Sequence, residues 1–207
     1  MSEPKTVATE IHEVVPGVYH FQIQDERIKH NSDGHAVVHE GKVVLIDPVP
    51  VDPKALARLG KVEAVVIDTP SHQRFSWSVR RDSKAKVHAP EGTGKLDEAP
   101  DESYKDGARL PGGLVAIHTP GPAAHHYALY LDRGPGVLFC GDLMMNEPHG
   151  LVFLPDKYQD DPVRSPQSAK RLLDFRFGVL CFGHGAPITT DARQAIETLL
   201  KAGSGKR

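Results

Sequence analysis

Two apolar runs in this chain end the same way. Val137-Leu138-Phe139-Cys140 stops at Gly141-Asp142, and Val179-Leu180-Cys181-Phe182 stops at Gly183-His184-Gly185. Glycine lets backbone and side chain approach a metal or substrate closely. Each run reads as a buried strand that delivers a metal-capable side chain at its glycine-marked end. The expectation is two strands serving one shared site.

The remaining pattern supports strands in two groups, each followed by a helix. Val18–Ile23 reads as a strand. His35–His39 and Lys42–Asp47 read as a hairpin joined through Glu40-Gly41. Asp52-Pro53 starts a short helix, carrying Leu56 and Leu59 and closed by Gly60. Glu63–Asp68 is a continuous apolar strand, as expected where both faces are covered. A helix follows through Phe75, Trp77 and Val79, and then a short strand at Lys86–Ala89. Residues 90–113 read as a polar surface excursion. Leu114–His118, Tyr127–Leu131 and Gly136–Cys140 read as strands, and residues 143–164 as irregular, with prolines at 148, 155 and 162. Ser165-Pro166 starts a helix with Leu172, Leu173 and Phe177. Thr190-Asp191 caps the last helix, which has Ala195, Ile196, Leu199 and Leu200 on one face. This order predicts two mixed sheets packed face to face with helices outside, in a single domain over residues 1–207.

Bulk properties exclude several function classes. The 25 basic and 27 acidic side chains leave a formal charge of −2, which gives no electrostatic basis for a nucleic-acid partner. No apolar run approaches the roughly 18 residues of a membrane span. The first ten residues are polar, unlike a signal peptide. A cytoplasmic protein acting on a small-molecule substrate or ligand is the expectation. Cys140 and Cys181 sit inside apolar runs and read as reduced core thiols. His12, His20, His88 and His149 have no partner at metal spacing and read as surface or strand residues.

The order of these signals resembles the metallo-β-lactamase fold superfamily, from about Val14 to Leu200. Four landmarks carry the resemblance: Val43-Val44-Leu45-Ile46-Asp47-Pro48; Val65-Val66-Ile67-Asp68-Thr69 running into His72; Ile117-His118-Thr119-Pro120-Gly121; and Gly141-Asp142 with Gly183-His184-Gly185. The resemblance implies an α/β fold, a four-layer αββα sandwich with the active site at one edge of the two sheets. It also implies hydrolysis by metal-activated water at a site for two ions, usually zinc.

Mapped residue by residue, the metal signature is degenerate. Where the family has metal ligands, this chain has Pro70, Arg74, Phe75 and Pro122; His72, Asp142 and His184 match the pattern. Proline and phenylalanine cannot ligate a metal, and an arginine repels one. The implied cofactor is therefore at most one ion, zinc or iron, held by His72, Asp142 and His184, which are also the candidate catalytic residues. In the family geometry the two histidines serve different ions, so their convergence does not follow from the resemblance.

Several neighbours carry two readings each. His125 and His126 are either substitute ligands for the lost Pro122 position or the start of a strand. Asp47 either orients groups around the site or caps a turn. Arg74 either supplies a guanidinium among the carboxylates in place of metal charge, or points to solvent from a helix. His35 and His39 share a strand face, lining the site or exposed. His118 reads as a neighbour of the site or a sheet residue. With Arg74 where the family's aspartate base stands, Asp142 or a substrate group must manage the proton. The expected function is a metal-dependent hydrolase with a reduced, mononuclear site. The alternatives are a non-catalytic binding or regulatory protein with a vestigial, metal-free pocket, and metal-free acid–base catalysis by His72, His184 and Asp142.

Overall fold

The computed structural model describes residues 3–94 and 96–204. Its first half places β1 (His12–Val15), β2 (Val18–Asp25), β3 (His30–His39), β4 (Lys42–Ile46), α1 (Pro53–Ala57), β5 (Lys61–Val66), α2 (Ser76–Ser83), β6 (Lys86–Pro90) and β7 (Glu102–Tyr104). The second half places β8 (Leu114–His118), β9 (Tyr127–Leu131), β10 (Val137–Phe139), β11 (Met144–Glu147), β12 (Gly150–Phe153), α3 (Ser165–Leu172), β13 (Val179–Cys181) and α4 (Ala192–Ser204).

Strands β1 to β7 form one seven-stranded sheet in sequence order. It is antiparallel up to β4 and parallel from β4 to β7. A four-stranded sheet runs β13-β10-β9-β8, in which β10 and β13 are parallel. Strand periodicity assigns each side chain to a layer. In β4, Val44 and Ile46 face the other sheet, while Val43 and Leu45 face the helices. In β10, Val137 and Phe139 face inward and Leu138 faces α3 and α4. One apolar cluster fills the space between the sheets, and one lies under the helices on each outer face. This is the expected αββα sandwich.

Local signals act as their chemistry dictates. The Asp52 carboxylate accepts from the Lys54 amide at 3.0 Å, with Pro53 in the first turn of α1. Cys140 and Cys181 are buried free thiols. Among the described residues no helix is long and apolar enough to cross a membrane.

Two stretches differ from expectation. The polar excursion over 90–113 contains β7, and its Tyr104 is buried, donating its hydroxyl to the Ile67 carbonyl at 2.7 Å. A three-residue strand among acidic and glycine residues is too short to show a period. Residues 143–164 contain the β11–β12 hairpin, with Met144 fully buried. Its turn holds Pro148, and that punctuation masks the flanking strands. Phe177 lies beyond the end of α3 but is still buried.

Candidate active site

The site forms where the carboxyl ends of strands from both sheets meet. Asp47 follows β4, Asp68 follows β5, Asp142 follows β10 and His184 follows β13. Such strand ends are where open α/β sheets bind ligands.

His72, Asp142 and His184 converge. The Nε2 atoms of His72 and His184 stand 3.0 Å and 3.4 Å from the same Asp142 oxygen, Oδ1. The opposite ring nitrogens are occupied. The Nδ1 of His72 lies 2.9 Å from Asp47 Oδ2 and 3.1 Å from Asp68 Oδ1, and the Nδ1 of His184 lies 2.6 Å from the Asn31 carbonyl. A ring that donates from Nδ1 turns the lone pair of Nε2 outward. Two such lone pairs and a carboxylate oxygen then face one another, and they repel unless positive charge lies between them. His72 Nε2 and Asp142 Oδ1 are buried with no hydrogen-bond partner among the described residues. This donor set fits one metal ion. Ligands about 2.0–2.1 Å from a tetrahedral zinc stand roughly 3.3 Å apart, close to the separations observed.

Electrostatics agree with a charge-dense centre. Burial opposes ionisation of Asp142, yet His72 and His184 hold its carboxyl well below the usual range. Burial and the Arg74 charge push the His72 pKa down, but Asp142 and Asp47 outweigh them and raise it well above the ordinary value. Asp68 is raised well above the carboxylate range by burial and by the Asp47 charge.

Other candidates take different places. Asp47 accepts from the Asp68 amide at 2.9 Å as well as facing His72, so it orients the site rather than merely capping a turn. His126 is not a substitute ligand. Its Nδ1 lies 3.0 Å from the Thr119 carbonyl, and its Nε2 accepts the Asp142 amide at 3.0 Å. Both nitrogens are spent, Nδ1 on Thr119 and Nε2 on the Asp142 backbone. His125 lines the cleft but lies outside the converging group. His118 contacts the Ala124 carbonyl and packs on Tyr127, away from the site. Arg74 is neither solvent-facing nor paired with carboxylates: it is buried and donates to three backbone carbonyls. Phe75, at another family ligand position, packs under the helices against the core.

Two histidines whose burial the sequence left open lie inside the fold. His20 is buried, 2.5 Å from Asp33 Oδ1, and His35 is buried between His20 and Phe139 while His39 is exposed. Burial and then the His20 charge depress the His35 pKa to about 3. Its folded value lies below the unfolded one, so its contribution is full above about pH 6.5 and is lost as pH falls toward 3. We expect the slope of unfolding free energy against pH in that window to drop by up to about 1.4 kcal/mol per pH unit in His35→Leu. Urea titrations at several pH values read it directly, and an unchanged slope refutes the assignment.

The three converging residues open into a cleft of about 1150 Å³. Pro122, Ala123, Met145, Leu154, Pro155 and Tyr158 supply its apolar lining. Arg27 on its wall is held by Asp25 through contacts of 2.9 and 2.6 Å.

Known proteins place this architecture. An archaeal metallo-beta-lactamase superfamily protein from Sulfolobus tokodaii superposes with a TM-score of 0.69 at 19% identity, covering 85% of this chain and 81% of its own. A metallo beta lactamase from Erythrobacter litoralis gives 0.71 at 14% identity, with 97% and 94% covered. The DIM-1 metallo-beta-lactamase gives 0.72 at 16% identity, with 96% and 100% covered. At these identities the likeness concerns the fold. No curated protein sequence matches the chain. The family profile described as the Metallo-beta-lactamase superfamily matches residues 56–184, the stretch that carries His72, Asp142 and His184. With the sandwich, the strand-end site and that match in agreement, the chain belongs to the metallo-beta-lactamase superfamily.

Proposed function

We propose that this protein is a metal-dependent hydrolase of small molecules with one metal ion held by His72, Asp142 and His184. The carrying observation is the approach of both Nε2 atoms to one Asp142 oxygen while each Nδ1 is already engaged. Metal-binding histidines typically present this arrangement, with the second nitrogen donated to a carboxylate or carbonyl. Two imidazoles and a carboxylate suit zinc or iron(II). Such an ion, when bound, brings the pKa of water to roughly 7 and so supplies a nucleophile at neutral pH.

The chain's own residues set the geometry. Asp47 and Asp68 fix the His72 ring, Asn31 fixes His184, and His126 fixes the backbone of Asp142. Ser71 donates to Asp142 Oδ2 at 3.2 Å, leaving Oδ1 for the ion. The two imidazoles keep Asp142 ionised as a ligand, so with Arg74 at the family's aspartate position a substrate group is left to take the proton. The cleft volume slightly exceeds the roughly 300–1,000 Å³ of common ligand pockets, which suits a small organic substrate.

A second reading uses the same atoms. If His72 is doubly protonated, Nδ1 donates to Asp47 and Asp68 and Nε2 to Asp142, and protons supply the missing charge. The cleft would then belong to a binding protein without metal. A panel of simple esters, thioesters and lactones separates the two. Hydrolysis that is lost after chelation and restored by one equivalent of zinc or iron(II) supports the hydrolase. No hydrolysis with either ion supports the binding protein.

A further inference from the structure

Arg74 has an unusual backbone and an unusual set of partners. Its φ of 36° and ψ of −106° fall where a side chain bearing a Cβ settles only when its surroundings over-determine it. The residue is 5% exposed. Its Nη1 donates to the Asp33 carbonyl at 2.6 Å and reaches the Asp47 carbonyl at 3.4 Å, and its Nη2 donates to the Gly183 carbonyl at 3.1 Å. Asp33 lies in β3 and Asp47 follows β4, both in the seven-stranded sheet. Gly183 follows β13 in the other sheet and immediately precedes His184.

Two of these segments, from opposite sheets, are also stitched directly to each other beside that guanidinium. The Asp33 amide donates to the Gly183 carbonyl at 3.0 Å, and the Gly185 amide donates to Asp33 Oδ2 at 2.8 Å. Carbonyl dipoles aimed at one point make a cation site. The planar fork of arginine satisfies several acceptors at once, which the point charge of lysine cannot.

We propose that Arg74 is a built-in cationic clamp: its guanidinium ties the two sheets together at the site and positions His184 and Asp47 for the ion. Arg74 is thus a positioning residue. Its effect on the ion rests on the reading above, whereas the clamp itself does not.

Arg74→Gly is the test, because glycine accepts this φ and leaves a space shaped for a guanidinium. Two quantities are read: amide hydrogen exchange of Asp33 and Gly185 in metal-free protein, and zinc affinity. We expect exchange at both amides to quicken at least about tenfold, as loss of a charge-assisted clamp implies. Zinc should bind about 10- to 100-fold more weakly, the usual effect of losing a group that orients ligands. Low-millimolar methylguanidinium should reverse both changes. Unchanged exchange in Arg74→Gly, or quickened exchange that methylguanidinium leaves in place, overturns the proposal. If the glycine variant does not fold, Arg74→Lys replaces it and should show the same acceleration to a smaller extent; wild-type exchange in Arg74→Lys overturns the clamp. Absence of zinc binding in the wild type defeats the hydrolase reading alone, since the exchange measurement still decides the clamp.

Discussion

His184→Ala should lower kcat/KM for any hydrolysed substrate by at least about a thousandfold, because roughly 4 kcal/mol of charge stabilisation leaves with the ion. His184 is partly buried, and its two ring nitrogens meet the Asn31 carbonyl and the Asp142 oxygen. Its removal therefore tests chemistry with little risk to the fold. His72→Ala should be at least as damaging, but for a mixed reason. His72 separates Asp47 and Asp68 from Asp142, and without its ring three buried carboxyl groups lose their common partner. That variant should also lose stability, so the thermal midpoint must be measured beside the rate. Wild-type activity in folded His184→Ala would remove His184 from the catalytic machinery.

Gly141→Ala should be the most destabilising single methyl added near the site, by about 3 kcal/mol or more. Gly141 has a φ of 51°, and an added Cβ would sit 2.2 Å from Asp68 Oδ2 and 2.7 Å from His126 Nε2. Neither neighbour can yield. Asp68 is packed at the end of β5, and His126 is tied to Thr119 and to the Asp142 amide. Gly134→Ala is the matched control: its φ is 58°, but nothing lies within 4 Å of the added carbon. It should cost only the backbone term, about 1 kcal/mol. A denaturant comparison of the pair isolates the clash, and equal losses would show that Asp68 and His126 do not close round Gly141 as described.

Much of the architecture was legible because it depends on periodicity and punctuation. The runs at Lys42–Asp47 and Tyr127–Leu131 have the length and apolar content of strands, and strands form at Lys42–Ile46 and Tyr127–Leu131. Asp52-Pro53 announces a helix start that needs no tertiary information. Strand β7 and the β11–β12 hairpin were hidden because short strands among prolines and acids show no period.

The site divides along similar lines. His72, Asp142 and His184 were legible from glycine-marked strand ends, but their convergence was not, since the family geometry separates the two histidines. The burial of His20 and His35 depends on the second sheet, through Phe139, and on the contact with Asp33. His126 resembled a spare ligand because proximity in sequence to Pro122 says nothing about which nitrogen is free. The choice between the two readings of Arg74 was not legible for a reason of backbone shape. An arginine near a helix start ordinarily points to solvent, and no residue pattern marks the positive φ that turns this one inward.

The central claim is that His72, Asp142 and His184 hold one ion. Metal content of protein purified without chelator, measured by elemental analysis and by native mass spectrometry after zinc loading, tests it most directly. The account predicts one ion per chain in the wild type and none in folded His184→Ala. A wild type that takes up no ion under zinc excess, or that binds two, contradicts it.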